Sequence, residues 1–280
     1  MAVQFAPKER YTLQDLLEIM RLLRSPEGCP WDREQTHESI RSDFLEETHE
    51  AVEAINLHDT EGLKEELGDV LLQVVFHSRI EEEAGHFDFS DVVDGIAKKL
   101  IIRHPHVFAD ASADSSAQVW QNWDAIKRQT KGGKTQADLL RAVPRSLPAL
   151  MRAAKVQGRA KRVGFDWPDI SGALEALDSE TKELKQAIAS GNAGEMEEEL
   201  GDLLFSAVNV SRFLHTDAEQ ALTLASDKFI RRFSAVEELA AEQGIEMSSA
   251  SLEELDRLWA LAKKRVGPEG PPAPRPADHP

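Results

Sequence analysis

The sequence "EEELGDLLFSAVN", residues 197–209, begins with three acids and then becomes apolar, and a closely similar sequence, "EELGDVLLQVVFH", stands at residues 65–77. The two belong to a longer alignment without gaps, at an offset of 133 residues, that joins residues 47–75 to residues 180–208. Twelve of its 29 paired positions are identical, whereas chance would give roughly two. The chain therefore contains a duplicated unit, and two copies of one domain explain it best.

Both copies have the pattern of α-helices, with good helix formers and apolar residues at spacings of three and four. The pattern predicts two helices in each copy, separated at "NLHDTEG" in the first and at "SGNAG" in the second. The predicted pairs cover residues 37–57 and 61–84, and residues 171–190 and 194–214. Further helices are predicted near residues 12–24, 90–103, 147–162, 217–242 and 251–264. The expected fold is all-α, with two tandem helical bundles.

Composition changes mark the expected domain boundaries. We expect a first helical domain over residues 1–110, a linker over 111–146, a second helical domain over 147–265, and a disordered, proline-rich tail over 266–280. The linker contains a predicted short helix, "VWQNWDAIKRQ". It also contains "GGKT", which is not a phosphate loop because Arg128 stands where that motif requires glycine.

The overall charge limits the possible partners. The formal net charge is −17 over 280 residues, which argues against binding to nucleic-acid polymers, since these need a basic surface. The sequence has no apolar run long enough to span a membrane. The single cysteine, Cys29, excludes a disulfide within the chain and suits a reducing compartment. These features predict a cytoplasmic protein without a membrane partner.

Each copy carries two pairs of acids with three-residue spacing. Residues three apart on a helix lie about 60° apart around its axis and so point to the same side. Two adjacent antiparallel helices would then bring four carboxylates together in each copy. We call them the first acidic set (Glu47, Glu50, Glu66 and Asp69) and the second acidic set (Glu180, Glu183, Glu199 and Asp202).

Four carboxylates repel one another and are costly to desolvate unless a cation lies among them. Because the ligand atoms are all oxygen, Mg²⁺ is the expected ion, with Mn²⁺ as a substitute. A glycine within each acidic helix, Gly68 and Gly201, also predicts a close approach by another group, since glycine there costs about 1 kcal/mol relative to alanine.

Two other interpretations of the acids are possible. Acids in the first turn of a helix usually form a solvated face, which we expect for Glu65, Glu81, Glu82, Glu83, Glu195 and Glu197. A di-iron site is the second possibility, because Glu46 and His49 form a Glu-x-x-His pair. The second copy has Ser179 and Lys182 in their places, which argues against iron.

Cations and tryptophans also recur in the two copies. Lys99 and Arg103 correspond to Lys228 and Arg232, each pair with four-residue spacing that allows both charges to contact a phosphate chain. Trp31 and Trp167 precede the acidic helices and are candidates for stacking on a base. The alternative is that each tryptophan packs in the core.

The sequence as a whole resembles the MazG family of nucleoside triphosphate pyrophosphohydrolases, in its full-length form with two domains. The resemblance covers most of residues 12–264 and is carried by "GCPWDREQTHESI", "LEETHEAVEAI", "EELGDVLLQVVFH", "FDFSDVV", "RHPHVF", "VGFDW", "EEELGDLLFSAVN" and "DKFIRRF". It implies an all-α fold related to dimeric dUTPases, dependence on Mg²⁺, a homodimer, and hydrolysis of nucleoside triphosphates to monophosphates and pyrophosphate.

The resemblance also implies roles for particular residues. The metal ligands of the family correspond to both acidic sets, and its phosphate-binding cations correspond to Lys228 and Arg232. A glutamate that is not a ligand would orient the attacking water, and Glu46 and Glu198 are the candidates. Two departures from the family pattern concern Ser179, which replaces the first of two expected glutamates, and Ile102, which replaces an arginine frequent before "RHPHVF". A helical interaction module without catalysis is the competing hypothesis.

Overall fold

A computed structural model describes residues 5–109 and 135–267 of the chain. The chain divides near residue 130 into two compact units, and all the helices and turns described in both belong to an all-α fold. The predicted short helix "VWQNWDAIKRQ", most of "GGKT" and the tail beyond residue 267 lie outside the described residues.

The first unit has six described helices. They are α1 (Leu13–Leu23), α2 (Pro30–Glu34), α3 (Arg41–Leu57), α4 (Thr60–Glu83), α5 (Phe89–Arg103) and α6 (Pro105–Phe108). Helices α3 and α4 form a long antiparallel hairpin, and α1 and α5 both pack against α4. The all-α prediction is confirmed here, with helix ends within a few residues of those expected.

The second unit also has six described helices. They are α7 (Gln136–Arg141), α8 (Ala149–Lys161), α9 (Ile170–Ser190), α10 (Ala193–Phe213), α11 (Ala218–Glu242) and α12 (Leu252–Val266). Helices α9 and α10 repeat the hairpin of α3 and α4, while α11 pairs with α12. Helix α7, which packs against α8, occupies part of the sequence expected to be linker.

Local sequence explains why each hairpin turns where it does. Helix α3 ends at His58 and α9 ends at Gly191, both in the left-handed conformation that stops a helix (φ 56° and 73°). The next helix then begins at once, because the side chains of Asp59 and Asn192 accept hydrogen bonds from the first backbone N–H groups of α4 and α10. The turns therefore fix the antiparallel pairing.

Small buried residues let the hairpin helices approach closely. Ala54 and Ala187 are buried at corresponding positions of α3 and α9, and Val75 and Val208 are buried at corresponding positions of α4 and α10. Each unit then has its own apolar cluster. The first contains Met20, Ile40, Val75 and Phe76, and the second contains Ala235, Val236, Ala240, Leu258 and Ala262.

Much of the apolar face predicted for the hairpins is exposed. Ile55 and its counterpart Ile188 are 51% and 59% exposed. The same holds for four further leucines at paired positions, Leu67, Leu71, Leu200 and Leu204. These residues recur with helical periodicity, as a buried face would, but the described part of the chain does not cover them.

Among the helices of residues 5–109 and 135–267, none combines the length and the apolar character that crossing a membrane requires.

Truncation of Leu258 tests the packing of α11 against α12. Leu258 is fully buried in the second cluster, so the Leu258→Ala variant should lose about 2–5 kcal/mol of unfolding free energy through lost burial and an added cavity. Chemical denaturation of the full chain measures this loss. Leu252→Ala, at a residue that is 74% exposed on the same helix, is the matched control and should change stability little.

Candidate functional site

Three carboxylates of the first unit converge between α3 and α4. Glu47 from α3 and the pair Glu66 and Asp69 from α4 each offer an oxygen, and these oxygens lie within 4.8 Å of one another. All three residues are half-buried. We call this group the first triad. It forms because Glu66 and Asp69 share one side of α4 and the antiparallel partner brings Glu47 to the same side.

The second unit repeats this arrangement between α9 and α10. Glu180, Glu199 and Asp202 offer oxygens that also lie within 4.8 Å of one another. Glu180 and Glu199 are half-buried, and Asp202 is exposed. We call this group the second triad. The residues are the counterparts of the first triad at the offset of 133, so the duplication preserves the geometry together with the residue types.

Charge repulsion acts on the glutamates of both triads. Burial is the main cause that raises the pKa of Glu47, and the charges of Asp69, Glu50 and Glu66 raise it further. Burial likewise comes first in raising the pKa of Glu66, with Glu50 and Asp69 adding to the effect. A carboxyl group whose pKa is raised in this way lacks a compensating positive charge.

The second triad behaves in the same way. Burial raises the pKa of Glu180, followed by the charges of Glu183 and Asp202. Burial also raises the pKa of Glu199, and Glu183 is the first of the acids that add to it. Glu183 therefore interacts with the second triad as Glu50 does with the first, which accounts for all eight acids of the two acidic sets.

The residues beside the triads differ between the copies. Glu46 and His49, the pair that suggested a di-iron site, are exposed and belong to neither triad. In the second copy the hydroxyl of Ser179, which replaces Glu46, donates to Glu183 Oε1 at 2.9 Å. Glu198, the other candidate for orienting water, is exposed next to Glu199. The two sites thus have the same carboxylates but different neighbours.

The predicted cations lie on α5 in the first unit and on α11 in the second. Lys99 is exposed and Arg103 is half-buried on α5, which packs against α4. Lys228 is exposed on α11, and Arg232 is half-buried one turn later. The Nε atom of Arg232 is buried and has no hydrogen-bond partner among the described residues. A guanidinium nitrogen left in this state is an available donor for an anion.

Neither tryptophan is buried in a core, although the indole of Trp167 packs against the start of α9. Trp31 is 59% exposed on α2, and Trp167 is 46% exposed just before α9. The ring of Trp167 lies against Gly172, where an added Cβ would come within 2.6 Å of the indole. The exposed indoles are available for contact with a ligand or with another chain.

Arginines that sequence reasoning missed anchor the segments next to the tryptophans. The buried Arg24 pairs with Glu83 of α4 at 2.8 Å. It also donates to the backbone carbonyls of Asp32, within α2, and of Gln35, which directly follows α2. In the second unit Arg212 of α10 pairs with Asp166 at 2.6 Å, next to Trp167. Glu83 therefore does not belong to a purely solvated face, because it compensates a buried cation.

Two further observations concern the sides of α4 and α10. An added Cβ at Gly68 or Gly201 would meet no described atom within 4 Å, so the described residues do not make the close approach predicted for these glycines. One turn after Asp69, the buried Gln73 has an Oε1 atom without a partner among the described residues. Ser206 occupies the corresponding buried position in α10.

Comparison with known proteins identifies the family. A model of the MazG nucleotide pyrophosphohydrolase domain matches residues 35–108 and, again, residues 170–236. The chain belongs to the MazG family. Each match contains one hairpin and one triad, so the MazG domain is present twice, as the duplication predicted.

Three named relatives support this assignment. A nucleoside triphosphate pyrophosphohydrolase of Escherichia coli K12 is 47% identical over 255 residues, which cover 89% of this chain and 96% of the relative. A MazG protein of Thermotoga maritima, named nucleoside triphosphate pyrophosphohydrolase/pyrophosphatase, is 47% identical over 250 residues, or 89% and 95% of the two chains. The YabN protein of Bacillus subtilis is 46% identical over 88% of this MazG chain and 50% of its own length.

Removing one charge from the first triad tests the repulsion. Without divalent cations at neutral pH, Glu66→Gln should raise the melting temperature slightly, because a carboxyl with a raised pKa destabilises the folded chain increasingly as the pH rises through its folded pKa. Below the ordinary pKa of glutamate the difference should vanish, since both forms are then neutral. Thermal unfolding in EDTA at several pH values measures this.

A second variant tests whether the loss of one negative charge is by itself enough to change the melting temperature. Glu65→Gln changes an exposed neighbour outside the triad and should leave the melting temperature almost unchanged. If Glu66→Gln destabilises the metal-free chain as the pH rises, mutual repulsion in the first triad is refuted.

Proposed function

We propose that this chain hydrolyses nucleoside triphosphates to nucleoside monophosphates and pyrophosphate, with a divalent cation bound by the carboxylate triads. The observation that carries the proposal is the presence, twice, of three converging carboxylates in matched MazG domains. The relatives from Escherichia coli and Thermotoga maritima are named for this activity.

The donor atoms fit Mg²⁺ or Mn²⁺, because each triad offers carboxylate oxygens alone and these ions prefer oxygen ligands. Glu50 and Glu183 complete the acidic sets as further candidate ligands, since their charges act on the neighbouring triads. A divalent cation supplies neutralisation of the phosphate charge and activation of a water molecule. Cation binding would also relieve the repulsion that raises the pKa of the triad glutamates.

The chain's own residues then have separate tasks in the proposed reaction. A water oxygen forms a bond to the α-phosphorus, the bond from that phosphorus to the bridging oxygen breaks, and pyrophosphate leaves. Glu46 or Glu198 orients the water and accepts its proton. Lys99 and Arg103 in the first unit, or Lys228 and Arg232 in the second, stabilise the negative charge on the leaving pyrophosphate.

Base contacts are assigned to the exposed tryptophans. Trp31 and Trp167 are 59% and 46% exposed, and stacking on an aromatic ring tolerates any base. Their segments are anchored by Arg24 and Arg212, which limits the cost of ordering the ring when a ligand binds. This assignment rests on exposure and on position in the sequence.

We also propose that the chain works as a homodimer in the cytoplasm. Each hairpin exposes isoleucine and leucine side chains at positions that are identical in both copies. A glycine with open space above it, Gly68 or Gly201, adjoins these leucines. Exposed apolar surface of this kind favours association, and glycine allows a second helix to approach closely. The single cysteine is consistent with a reducing compartment.

Paired exchanges test the reaction and identify the working site. The wild-type chain should release pyrophosphate and a monophosphate from a panel of NTPs and dNTPs with Mg²⁺. Either Glu66→Gln/Asp69→Asn or Glu199→Gln/Asp202→Asn should lower kcat/KM at least about 100-fold, which corresponds to loss of metal-assisted chemistry. Product analysis by chromatography measures both.

The exposed neighbours provide controls for these variants. Glu65→Gln and Glu197→Gln remove the same charge from the same helices outside the triads and should keep nearly full activity. Failure of the wild type to release pyrophosphate from any nucleotide would sink the enzyme proposal and favour the interaction module.

Charge placed on the exposed hairpin faces tests the dimer. The double variant Leu67→Lys/Leu200→Lys should shift the chain from dimer to monomer, because buried lysine is costly to desolvate at an interface. Sedimentation equilibrium over a range of concentrations measures the change. Lys64→Leu, at an exposed residue one turn before Gly68, is a control with the opposite change and should not dissociate the dimer. A wild type that sediments as a monomer throughout contradicts the proposal.

A further inference from the structure

Four side chains of the first unit form a continuous series of hydrogen bonds outside the triads. His77 Nδ1 lies 2.7 Å from His37 Nδ1, and His37 Nε2 lies 2.6 Å from Glu81 Oε1. The other oxygen of Glu81, Oε2, lies 2.7 Å from His86 Nδ1. We call this series the histidine chain. It connects the turn before α3, which contains His37, to α4 and to the residues that follow α4.

The arrangement suits proton sharing better than metal binding. The two ring nitrogens of His37 bond to different partners, and Glu81 likewise uses one oxygen for each of two histidines. The potential ligand atoms therefore form a line and do not converge on a point. Glu81 was expected to be a simple solvated acid, and this expectation is wrong because two imidazoles compete for its charge.

The contact between His37 and His77 limits how many protons the two imidazole rings can carry together. With both rings neutral, one Nδ1–H donates to the lone pair of the other Nδ1. One added proton is also tolerated, since a charged His37 can donate to His77 and to Glu81 at the same time. A second proton leaves two N–H groups and two positive charges facing each other across 2.7 Å. The contact then has no acceptor and must break.

We propose that the histidine chain is a proton-operated clamp, which holds the turn of residues 36–40 to α4 and releases it in mildly acidic solution. Its release would loosen the first turn of α3, since Ile40 lies in the apolar cluster and Phe44 contacts the ring of His77. Glu47 follows Phe44 by less than one turn, so the clamp is coupled to the first triad. Arg24 holds residues 32 and 35 independently, which confines the release to the turn.

The direction of the pH effect follows from the folded-state pKa values. Burial lowers the pKa of His77, and the charge of His37 lowers it further. An unfolded His77 therefore takes up its proton at a higher pH than the folded one. The stabilisation by neutral His77 is complete above the ordinary histidine pKa of about 6.5, and it is lost as the pH falls from there through the folded pKa.

The pKa of Glu81 also bears on the histidine chain. Hydrogen bonds from His86 and His37 lower the pKa of the Glu81 carboxyl, so Glu81 stays a charged acceptor below the ordinary pKa of glutamate. Glu81 therefore continues to hold His37 on the Nε2 side of the ring, while the contact with His77 lies on the Nδ1 side.

Other charged groups lie near the histidine chain, but they do not take the place of His37 beside His77. Glu38 and Arg41 both follow His37 and have opposite signs, and the charges of His37 and Arg41 act on the Glu38 carboxyl. The charged groups of α1 that meet α4 act on other residues, namely Arg79, Glu82 and Glu83. At the start of α5, Asp88 and Asp91 bond to the backbone N–H groups of each other. His77 therefore faces His37 and Phe44.

The second copy provides an internal comparison. At the offset of 133, Ile170, Val210 and Leu214 replace His37, His77 and Glu81. The clamp is thus confined to the first MazG domain. Acid should loosen the turn before α3 and leave the start of α9 unaffected.

Hydrogen–deuterium exchange of the full chain at about pH 7.5 and about pH 5.5 tests the clamp, with labelling times scaled for intrinsic exchange. Protection of peptides that cover residues 36–44 should fall about tenfold at the lower pH. Peptides that cover residues 169–177 should not change. Equal protection of residues 36–44 at both pH values would overturn the proposal.

Two exchanges of His77 separate protonation from a general loss of structure. His77→Gln retains an amide that can donate to or accept from His37 but cannot be protonated, so residues 36–44 should stay protected at both pH values. His77→Lys places a permanent charge there and should lower protection at both. If His77→Gln loosens at low pH as the wild type does, another group is responsible and the proposal fails.

Nuclear magnetic resonance of ¹⁵N-labelled imidazoles supplies a measurement that needs no variant. His77 should remain neutral to a lower pH than an ordinary histidine, and its protonation should coincide with the loss of protection of residues 36–44. A His77 that titrates normally while the turn stays protected would contradict the clamp.

Discussion

Repulsion among carboxylates is the constraint on which both MazG domains depend. Each triad brings three acids within 4.8 Å of one another, and burial raises the pKa of the glutamates at their centres. The three carboxylates would move apart unless the two helices that carry them were held rigidly together. The rigidity comes from helix caps and from buried alanines and valines that hold each hairpin together. The hairpin therefore stores an unfavourable electrostatic interaction that a divalent cation would convert into a favourable one.

The same hairpins are incompletely covered by their own chain. Apolar residues with helical periodicity normally indicate a core, yet Ile55 and Ile188 are more than half exposed, and the glycines Gly68 and Gly201 adjoin open space. Duplication has preserved both the acids and this uncovered surface. Each hairpin thus has two distinct sides. Its polar side carries the triad, and its apolar side is exposed. Because both sides belong to the same two helices, contacts that cover the apolar side would also affect the rigidity of the triad.

Sequence reasoning succeeds where the relevant information is local. The helix ends and the triads depend on caps and on three-residue spacing, which are visible within a few residues. The pairing of Arg24 with Glu83 and of His37 with Glu81 joins residues 59 and 44 positions apart, and periodicity contains no information about such distances. For the same reason Glu81 and Glu83 resembled ordinary surface acids. Periodicity also cannot distinguish a face that is buried by the same chain from one that is left exposed.

The differences between the two copies show which features the hairpin requires and which it tolerates. Both copies keep the triad, the buried alanine and the open glycine, whereas the histidine chain, Arg24 and the pair of Arg212 with Asp166 each belong to one copy alone. Ser179 donates to Glu183 in the second copy, but the glutamate in its place in the first copy cannot serve as such a donor when ionised. The carboxylate geometry has therefore been maintained while its surroundings have diverged. Two sites with identical acids and different neighbours must respond differently to protons, because the free energy of ionising each acid depends on the groups around it.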